Sequence, residues 1–260
     1  VGDVAVNGIT ASERTSGSFD YFGTIYTNDK SIAGWKDIIE NNTSSASVLI
    51  NEGARIANLT SDFDKAVGAI TEMPVTPGFE AMTPATLNGL NTKDGQAKTY
   101  VINMVELKAS SPIDITGDRD DMFYVRWDEE PQTQGLQGQV KFQGGGGINP
   151  LGNLVPTNFI NLAGDINSSG GGSNPSGLAS YLAGMPNKVS GGGFFTGYWL
   201  TVGNASGESA PLSNGIFVGG WYSNVRKFSM TSGTSGIYVP PPQVGEYSGF
   251  LEASGTYLVD

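Results

Sequence analysis

The pentapeptide Phe195-Thr-Gly197-Tyr-Trp199 recurs as Phe217-Val-Gly219-Gly-Trp221, 22 residues further along the chain. A second segment, Phe228-Ser-Met-Thr-Ser232-Gly233-Thr234, recurs at the same offset as Phe250-Leu-Glu-Ala-Ser254-Gly255-Thr256. Two independent pairs that share one spacing mark a stacked repeat, in which each unit covers the next. Residues i, i+2 and i+4 of a strand point to one face. Stacking such strands puts Phe over Phe and Trp over Trp at about 4.8 Å, with glycine where a side chain has no room. The pattern predicts a mainly β chain: a right-handed, β-helix-like solenoid with one or two short helices packed alongside. Two similar hairpins in a β-sandwich are the alternative that these residues also allow.

The chain is long enough for a sizeable core. Its 38 glycines are about twice the usual share, and its turns are written in Gly and Asn rather than in charged residues. With a net charge of −11 and no Lys/Arg cluster, there is no basic patch to displace the counterions of a nucleic acid. Cysteine is absent, which removes disulfides, thiolate nucleophiles and Cys-type zinc sites. Histidine is absent as well, so no Ser-His-Asp triad and no imidazole ligand can form. Only chemistry built on carboxylates, Lys or Tyr survives. No apolar run reaches the length of a membrane span. The start at Val1, without Met or an apolar leader, fits an exported protein in its processed form.

Along the chain, Val4–Ile9 and Phe19–Asn28 read as strands, and Ser31–Glu40 as a first helix on Ile32, Trp35 and Ile39. Val48–Ile50 and Ala54–Leu59 read as further strands. Ser61 is placed as the N-cap of a second helix whose stripe is Phe63, Ala66, Val67 and Ile70. The prolines and turn residues from Met73 to Gly95 predict a long surface loop. Thr99–Glu130 is β-rich, with a turn at Gly117–Asp121, and Val140–Phe142, Phe159–Leu162 and Asp165–Ile166 continue as short strands between Gly/Asn turns. Asn167–Asn174 reads as a flexible Ser/Gly stretch, and Leu178–Leu182 as one helical turn. The expected organisation is a single β domain over 1–239. Pro240-Pro241-Pro242 then sets off a C-terminal strand segment over 240–260, available to pack on a neighbouring subunit.

Several of these stretches resemble the bacterial surface domains called choice-of-anchor A, which are similar to ice-binding-like β-solenoid adhesion modules. The stretches are Gly2-Asp-Val-Ala-Val6-Asn-Gly8, Pro112-Ile-Asp-Ile-Thr-Gly117-Asp118 with Phe123-Tyr-Val125, Val140-Lys-Phe-Gln-Gly-Gly, and Gly215-Ile-Phe-Val-Gly-Gly-Trp-Tyr222. The resemblance implies an exported, non-catalytic adhesive or structural domain with a helix lying along the solenoid, a role that Ser61–Thr71 suits. The chain departs from the pattern in lacking a regular Thr-x-Thr column, so ice binding is not expected, and in placing a Pro-rich break and another strand after Val239.

The chain carries candidates for five kinds of chemistry. Asp114, Asp118, Asp120 and Asp121 crowd one turn, and oxygen-rich loops hold calcium; the register is not that of an EF-hand, and a solvated turn with Arg119 interleaved is preferred. Asp128-Glu129-Glu130 offers carboxylates for glycoside cleavage, although neighbours on a strand point to opposite faces. Tyr198, Trp199, Trp221 and Tyr222 could stack on sugars; the preferred reading puts Trp199 and Trp221 in the core and leaves Tyr198 and Tyr222 for ligands. Gly144–Gly147 lacks the Lys-Ser/Thr and the helix that a phosphate loop needs. Asn42, Asn58, Asn167 and Asn204 begin glycosylation-type triplets that a chain of this composition produces by accident.

No residue is assigned as catalytic, cofactor-binding or metal-ligating, and calcium at Asp118–Asp121 is the one cofactor considered. The expectation is a secreted or cell-surface structural or adhesive protein without enzymatic activity. It would be a coat, matrix or filament subunit that self-associates through terminal strands such as Val4–Ile9 and Phe250–Val259. The alternatives are a carbohydrate-binding module and a carboxylate-dependent polysaccharide-cleaving enzyme.

Overall fold

A computed structural model describes residues 4–6, 23–30, 46–128, 136, 138–172, 175–183, 192–203, 209–212, 215–223, 227–230 and 235–239. The expected helix Ser31–Glu40, the Asn7-Gly8 turn, the Pro240–Pro242 break and the strand Phe250–Val259 lie outside these residues. Two compact units emerge, one carrying Val1–Ala66 and the other Val67–Pro240.

In the first unit, strands β1 (Val4–Val6), β2 (Gly23–Thr27) and β3 (Ala46–Leu49) form a parallel three-stranded sheet. Thr27 then receives the Glu52 amide at 2.9 Å, and the Arg55 guanidinium lies 4.4 Å from the centre of the Tyr26 ring. Helix α1 runs from Gly53 to Glu72, and the boundary between the units falls inside it. This corrects two expectations. Ala54–Leu59 is helix and not strand, and Ser61 sits in mid-helix and not at the N-cap. The apolar positions Ile56, Leu59, Phe63, Ala66 and Ile70 keep a helical spacing straight through Ser61-Asp62. A continuous stripe of that kind outweighs a local capping signal.

The second unit is built from three columns of parallel strands, which the chain visits in turn. The first pass supplies β4 (Leu90–Asn91), β5 (Thr99–Met104) and β6 (Lys108–Ala109). The second supplies β7 (Pro112–Gly117), β8 (Met122–Trp127) and β9 (Gln139–Gln143). The third supplies β10 (Gly146–Gly152), β11 (Phe159–Ala163) and β12 (Asp165–Ser169). Short helices α2 (Pro84–Leu87) and α3 (Ala179–Leu182) lie outside this rotation. Next comes β13 (Gly193–Thr201), whose first residues pair with β10 and whose last pair with β11, so one strand spans two columns. The strands β14 (Ser209–Leu212), β15 (Gly215–Ser223), β16 (Lys227–Met230) and β17 (Ser235–Tyr238) follow. Every strand pairing among the described residues is parallel. A hairpin would have paired its strands antiparallel.

The repeat is seen directly in β13 and β15. Phe195 pairs with Phe217, Gly197 with Gly219 and Trp199 with Trp221, in register over nine residues. The Phe195 and Phe217 rings stack with centroids 4.7 Å apart and planes 13° from parallel. A second column, not anticipated, runs Tyr100–Phe123–Phe159, with centroids 5.1 and 5.0 Å apart. Trp127 stacks on Trp199 at 5.8 Å, reaching across the intervening Ala163, which pairs with Trp127. The inner faces of the columns bury these rings, Tyr100 only in part, with Ile102, Val125, Val140, Phe142, Ile148 and Ile166. Burial on this scale is the main favourable term for the fold.

Two further expectations change. The stretch Met73–Gly95 is not only a surface loop, since it carries α2 and β4 and delivers a fully buried Leu87 to the core. Asn167–Ser169 closes β12, so that part of the Ser/Gly stretch is strand. On the outer face of β13 and β15, Phe194, Ile216 and Val218 are covered by Leu178 and Leu182 from the α3 segment.

Candidate functional site

The four aspartates of the expected cation turn do not converge. Asp114 accepts from Asn149 Nδ2 at 2.7 Å, while its own amide donates to Asn88 Oδ1 at 2.8 Å. Asn149 Oδ1 in turn receives the Gly177 amide at 2.8 Å, so these side chains form a polar ladder joining one strand pair to its flanking loops. Asp118 Oδ2 accepts the amides of Asp94 and Gly95, at 2.9 and 2.6 Å. Asp121 is fully buried; its Oδ2 accepts from Thr92 Oγ1 at 2.7 Å and from the Asp118 amide at 3.0 Å, and its Oδ1 from the Lys98 amide at 3.0 Å. Asp120 and Arg119 are exposed. A carboxylate that receives several N–H and O–H groups organises backbone. Among the described residues, no three His, Cys, Asp or Glu side chains stand close enough together to hold a metal ion.

Nearby, Asp94 and Lys98 form an exposed ion pair. The hydrogen bond from Lys98 holds the Asp94 carboxyl below its ordinary range, and the same bond raises the Lys98 ammonium. An exposed pair of this kind contributes little to stability.

Of the expected carboxylate run, Asp128 is buried and its amide donates to the Met104 carbonyl at 3.0 Å; Glu129 and Glu130 lie outside the described residues. The Gly144–Gly147 run is a turn followed by β10. A β-carbon on Gly146 would stand 2.1 Å from the Ala109 carbonyl oxygen, and one on Gly147 2.1 Å from that of Phe194. These glycines let neighbouring backbones touch.

The aromatic platform is reduced by burial. Trp199 is fully buried, as expected, and its indole N–H donates to the Thr196 carbonyl at 3.2 Å. Tyr198, expected to face a ligand, is only 1% exposed, and its hydroxyl donates to the Val239 carbonyl at 2.7 Å. Tyr198 therefore belongs to the core and not to a ligand-facing surface. Both faces of β13 are covered, so the rule that alternate residues face solvent fails there. Gly220 is flanked by the rings of Tyr198 and Tyr222. Trp221 and Tyr222 remain half-buried, with the Trp221 indole N–H donating to Thr201 Oγ1 at 2.9 Å. Of the glycosylation-type triplets, Asn58 is exposed on α1 and Asn167 donates to Gln139 Oε1 at 3.0 Å; Asn42 and Asn204 lie outside the described residues.

Sequence reasoning passed over Arg126, half-exposed on β8. Its Nε donates to Asn103 Oδ1 at 2.8 Å, and its Nη1 reaches the carbonyls of Thr71 at 2.8 Å and Met73 at 3.1 Å. A cation here satisfies the open carbonyls at the end of α1 and suits the negative pole of its dipole. Burial lowers the Arg126 pKa from its ordinary value. No motif announces such a residue, because Asn103 lies 23 positions away and the carbonyls that Arg126 reaches lie more than fifty.

Compared with models of known protein families and with curated proteins, the chain matches none.

Proposed function

We propose that this chain is a non-enzymatic structural or adhesive protein of the cell exterior. It is built as a right-handed β-solenoid of the choice-of-anchor A and ice-binding-like kind, and serves as a coat, matrix or filament subunit. The observation that carries this reading is the nine-residue parallel register of β13 on β15, with Phe on Phe, Gly on Gly and Trp on Trp. Parallel columns visited in rotation are what a solenoid requires, and crossovers between parallel strands are right-handed in nearly all proteins. A body whose side chains are committed to its own stacking is suited to mechanical work. Of the carboxylates weighed for a polysaccharide-cleaving enzyme, Asp118 is engaged by the amides of Asp94 and Gly95 and Asp128 is buried.

Assembly would proceed through terminal strands. The β1 segment and Phe250–Val259 are the candidates, and a head-to-tail contact that does not close grows into a filament. Electron microscopy of the purified chain tests this. Filaments are expected, and they should vanish when Glu246–Asp260 is removed while the circular dichroism of the body is kept. Filaments from the truncated chain would refute assembly by strand exchange. The half-buried Trp221 and Tyr222 keep the carbohydrate-binding alternative in view. Retention on glycan affinity gels that is lost in Tyr222→Ala would favour it.

A further inference from the structure

The outer edge of β5 is closed by chain that is not strand. Thr76 donates its amide to the Val101 carbonyl at 3.0 Å and accepts the Val101 amide on its hydroxyl at 2.9 Å. The Asn103 amide donates to the Phe79 carbonyl at 3.0 Å, and the Asn103 carbonyl accepts from the Met82 amide at 2.8 Å. The Val105 amide donates to the Met82 carbonyl at 2.8 Å. Only Met82, opposite Met104, makes a ladder pairing. Pro74 and Pro77 have no N–H to offer a further strand. The Gly78 amide is turned to the Glu80 carboxylate, at 3.0 Å.

This covering segment is held at its ends, and between them only the partly buried Phe79 and Met82 pack on the core, with the Phe79 ring edge-on to Tyr100 at 5.9 Å. Arg126 grips the Met73 carbonyl at one end and Asn103 of β5 with the same guanidinium. At the other end, Thr83 and Thr86 form a capping box and Leu87 is fully buried. Between these anchors no residue from Met73 to Met82 is buried, whereas Val101, Ile102 and Met104 beneath are. A shallow groove runs between Pro74, Val75 and Pro77 on one side and Thr99 and Val101 on the other. Segments with little burial and irregular hydrogen bonds are the ones that open first.

We propose that Met73–Met82 is a displaceable strap that occupies the strand-acceptor edge of β5 and so keeps a second copy of this chain from adding a strand there. The amides of Val101, Asn103 and Val105 point outward at two-residue intervals, the spacing at which any β-strand would bond them. An incoming strand would form the regular ladder that the strap lacks. The inference rests on the self-assembly proposed above and names what restrains it.

The test uses the full chain with residues 74–81 replaced by a Gly/Ser linker of equal length. It is read by light scattering across a concentration series and by hydrogen exchange at the Val101, Asn103 and Val105 amides. Exchange at these three should rise at least tenfold in dilute solution, and dimers or larger species should form as concentration increases. A synthetic Pro74–Met82 peptide should then lower the variant's association to that of the wild-type chain at the same concentration. A folded linker variant that associates no more than the wild-type chain, or extra association untouched by the peptide, would overturn the proposal. If the linker variant does not fold, Thr76→Val combined with Arg126→Gln loosens the strap without replacing it, and unchanged exchange or a persistent monomer there counts against it equally. Association of the strap variant alongside a wild type without filaments would sink filament assembly and leave the strap standing. Wild-type filaments with a monomeric strap variant would do the reverse.

Discussion

Gly219 lies directly over Gly197, and a β-carbon built on Gly219 would stand 2.1 Å from the Gly197 carbonyl oxygen. Both residues have positive φ, 89° at Gly197 and 144° at Gly219. The obstacle is backbone, so no side chain can rotate away to make room. Gly219→Ala should therefore cost roughly 1–3 kcal/mol in overpacking, with strain on the order of 1 kcal/mol added by the positive φ. Urea titrations of the two proteins measure it. A loss under about 0.5 kcal/mol, the range of ordinary surface substitutions, would show that the glycine column is not tight.

Gly68 gives the opposite sign. It is exposed in the interior of α1, its φ is ordinary, and nothing lies within 4 Å of the β-carbon it lacks. Gly68→Ala should stabilise the chain by about 0.5–1 kcal/mol, since alanine loses less backbone freedom in a helix. The midpoint of thermal unfolding should rise, and a fall would mean that Gly68 packs against something.

How far such positions can be read from sequence depends on what lies between them. Phe195 and Phe217 stand out because one 22-residue offset, with β14 lying between the two strands, is common to every pair in the β13–β15 register. Tyr100, Phe123 and Phe159 stack as regularly, yet the first two pair at an offset of 23 and the second two at 36. Corner insertions alter the offset without disturbing the column, so a search for one period passes over it. The start of α1 is hidden for another reason: Ser61-Asp62 is sound capping chemistry, and only the stripe from Ile56 to Ile70 reveals that the helix runs through it. The aspartates around Asp118 show the limit at a site. Their crowding can be read from the sequence, but whether they face a cation or the amides of Asp94, Gly95 and Lys98 depends on chain twenty or more residues away.

The phenols of Tyr100 and Tyr181 give a dependence on pH. Burial holds both above their ordinary 10.0, and the negative charge of Asp121 adds to the effect at Tyr100. A group whose pKa is higher in the folded chain keeps its proton better there. The stability it secures is whole below the unfolded value and is lost as pH rises through the folded one. Stability to urea should therefore decline from about pH 10 upward. The double variant Tyr100→Phe, Tyr181→Phe should flatten that decline, and an equally steep decline would assign the loss to other groups.

Asn161 offers the sharpest test of the buried polar contacts. It has no exposed surface, and it lies on β11 between Val125 of β8 and Trp199 of β13. Its Oδ1 accepts from the Trp127 indole at 3.1 Å, and its Nδ2 donates to the Thr196 carbonyl at 3.1 Å. The Thr196 carbonyl has a second donor in the Trp199 indole, at 3.2 Å. Replacing Asn161 by Leu therefore orphans the Trp127 N–H while Thr196 keeps a partner. The orphan should cost about 1–3 kcal/mol. Trp127→Phe removes the donor but leaves space beside Phe142 and Trp199, whose rings lie 5.5 and 5.8 Å from that of Trp127. Each single substitution is thus destabilising for its own reason. If the Asn161–Trp127 bond couples them, the double variant should be more stable than the sum of the singles predicts, by roughly 0.5–3 kcal/mol. Strict additivity would mean that the bond contributes nothing, and that Asn161 matters only through its hold on the Thr196 carbonyl, where β13 passes from one column to the next.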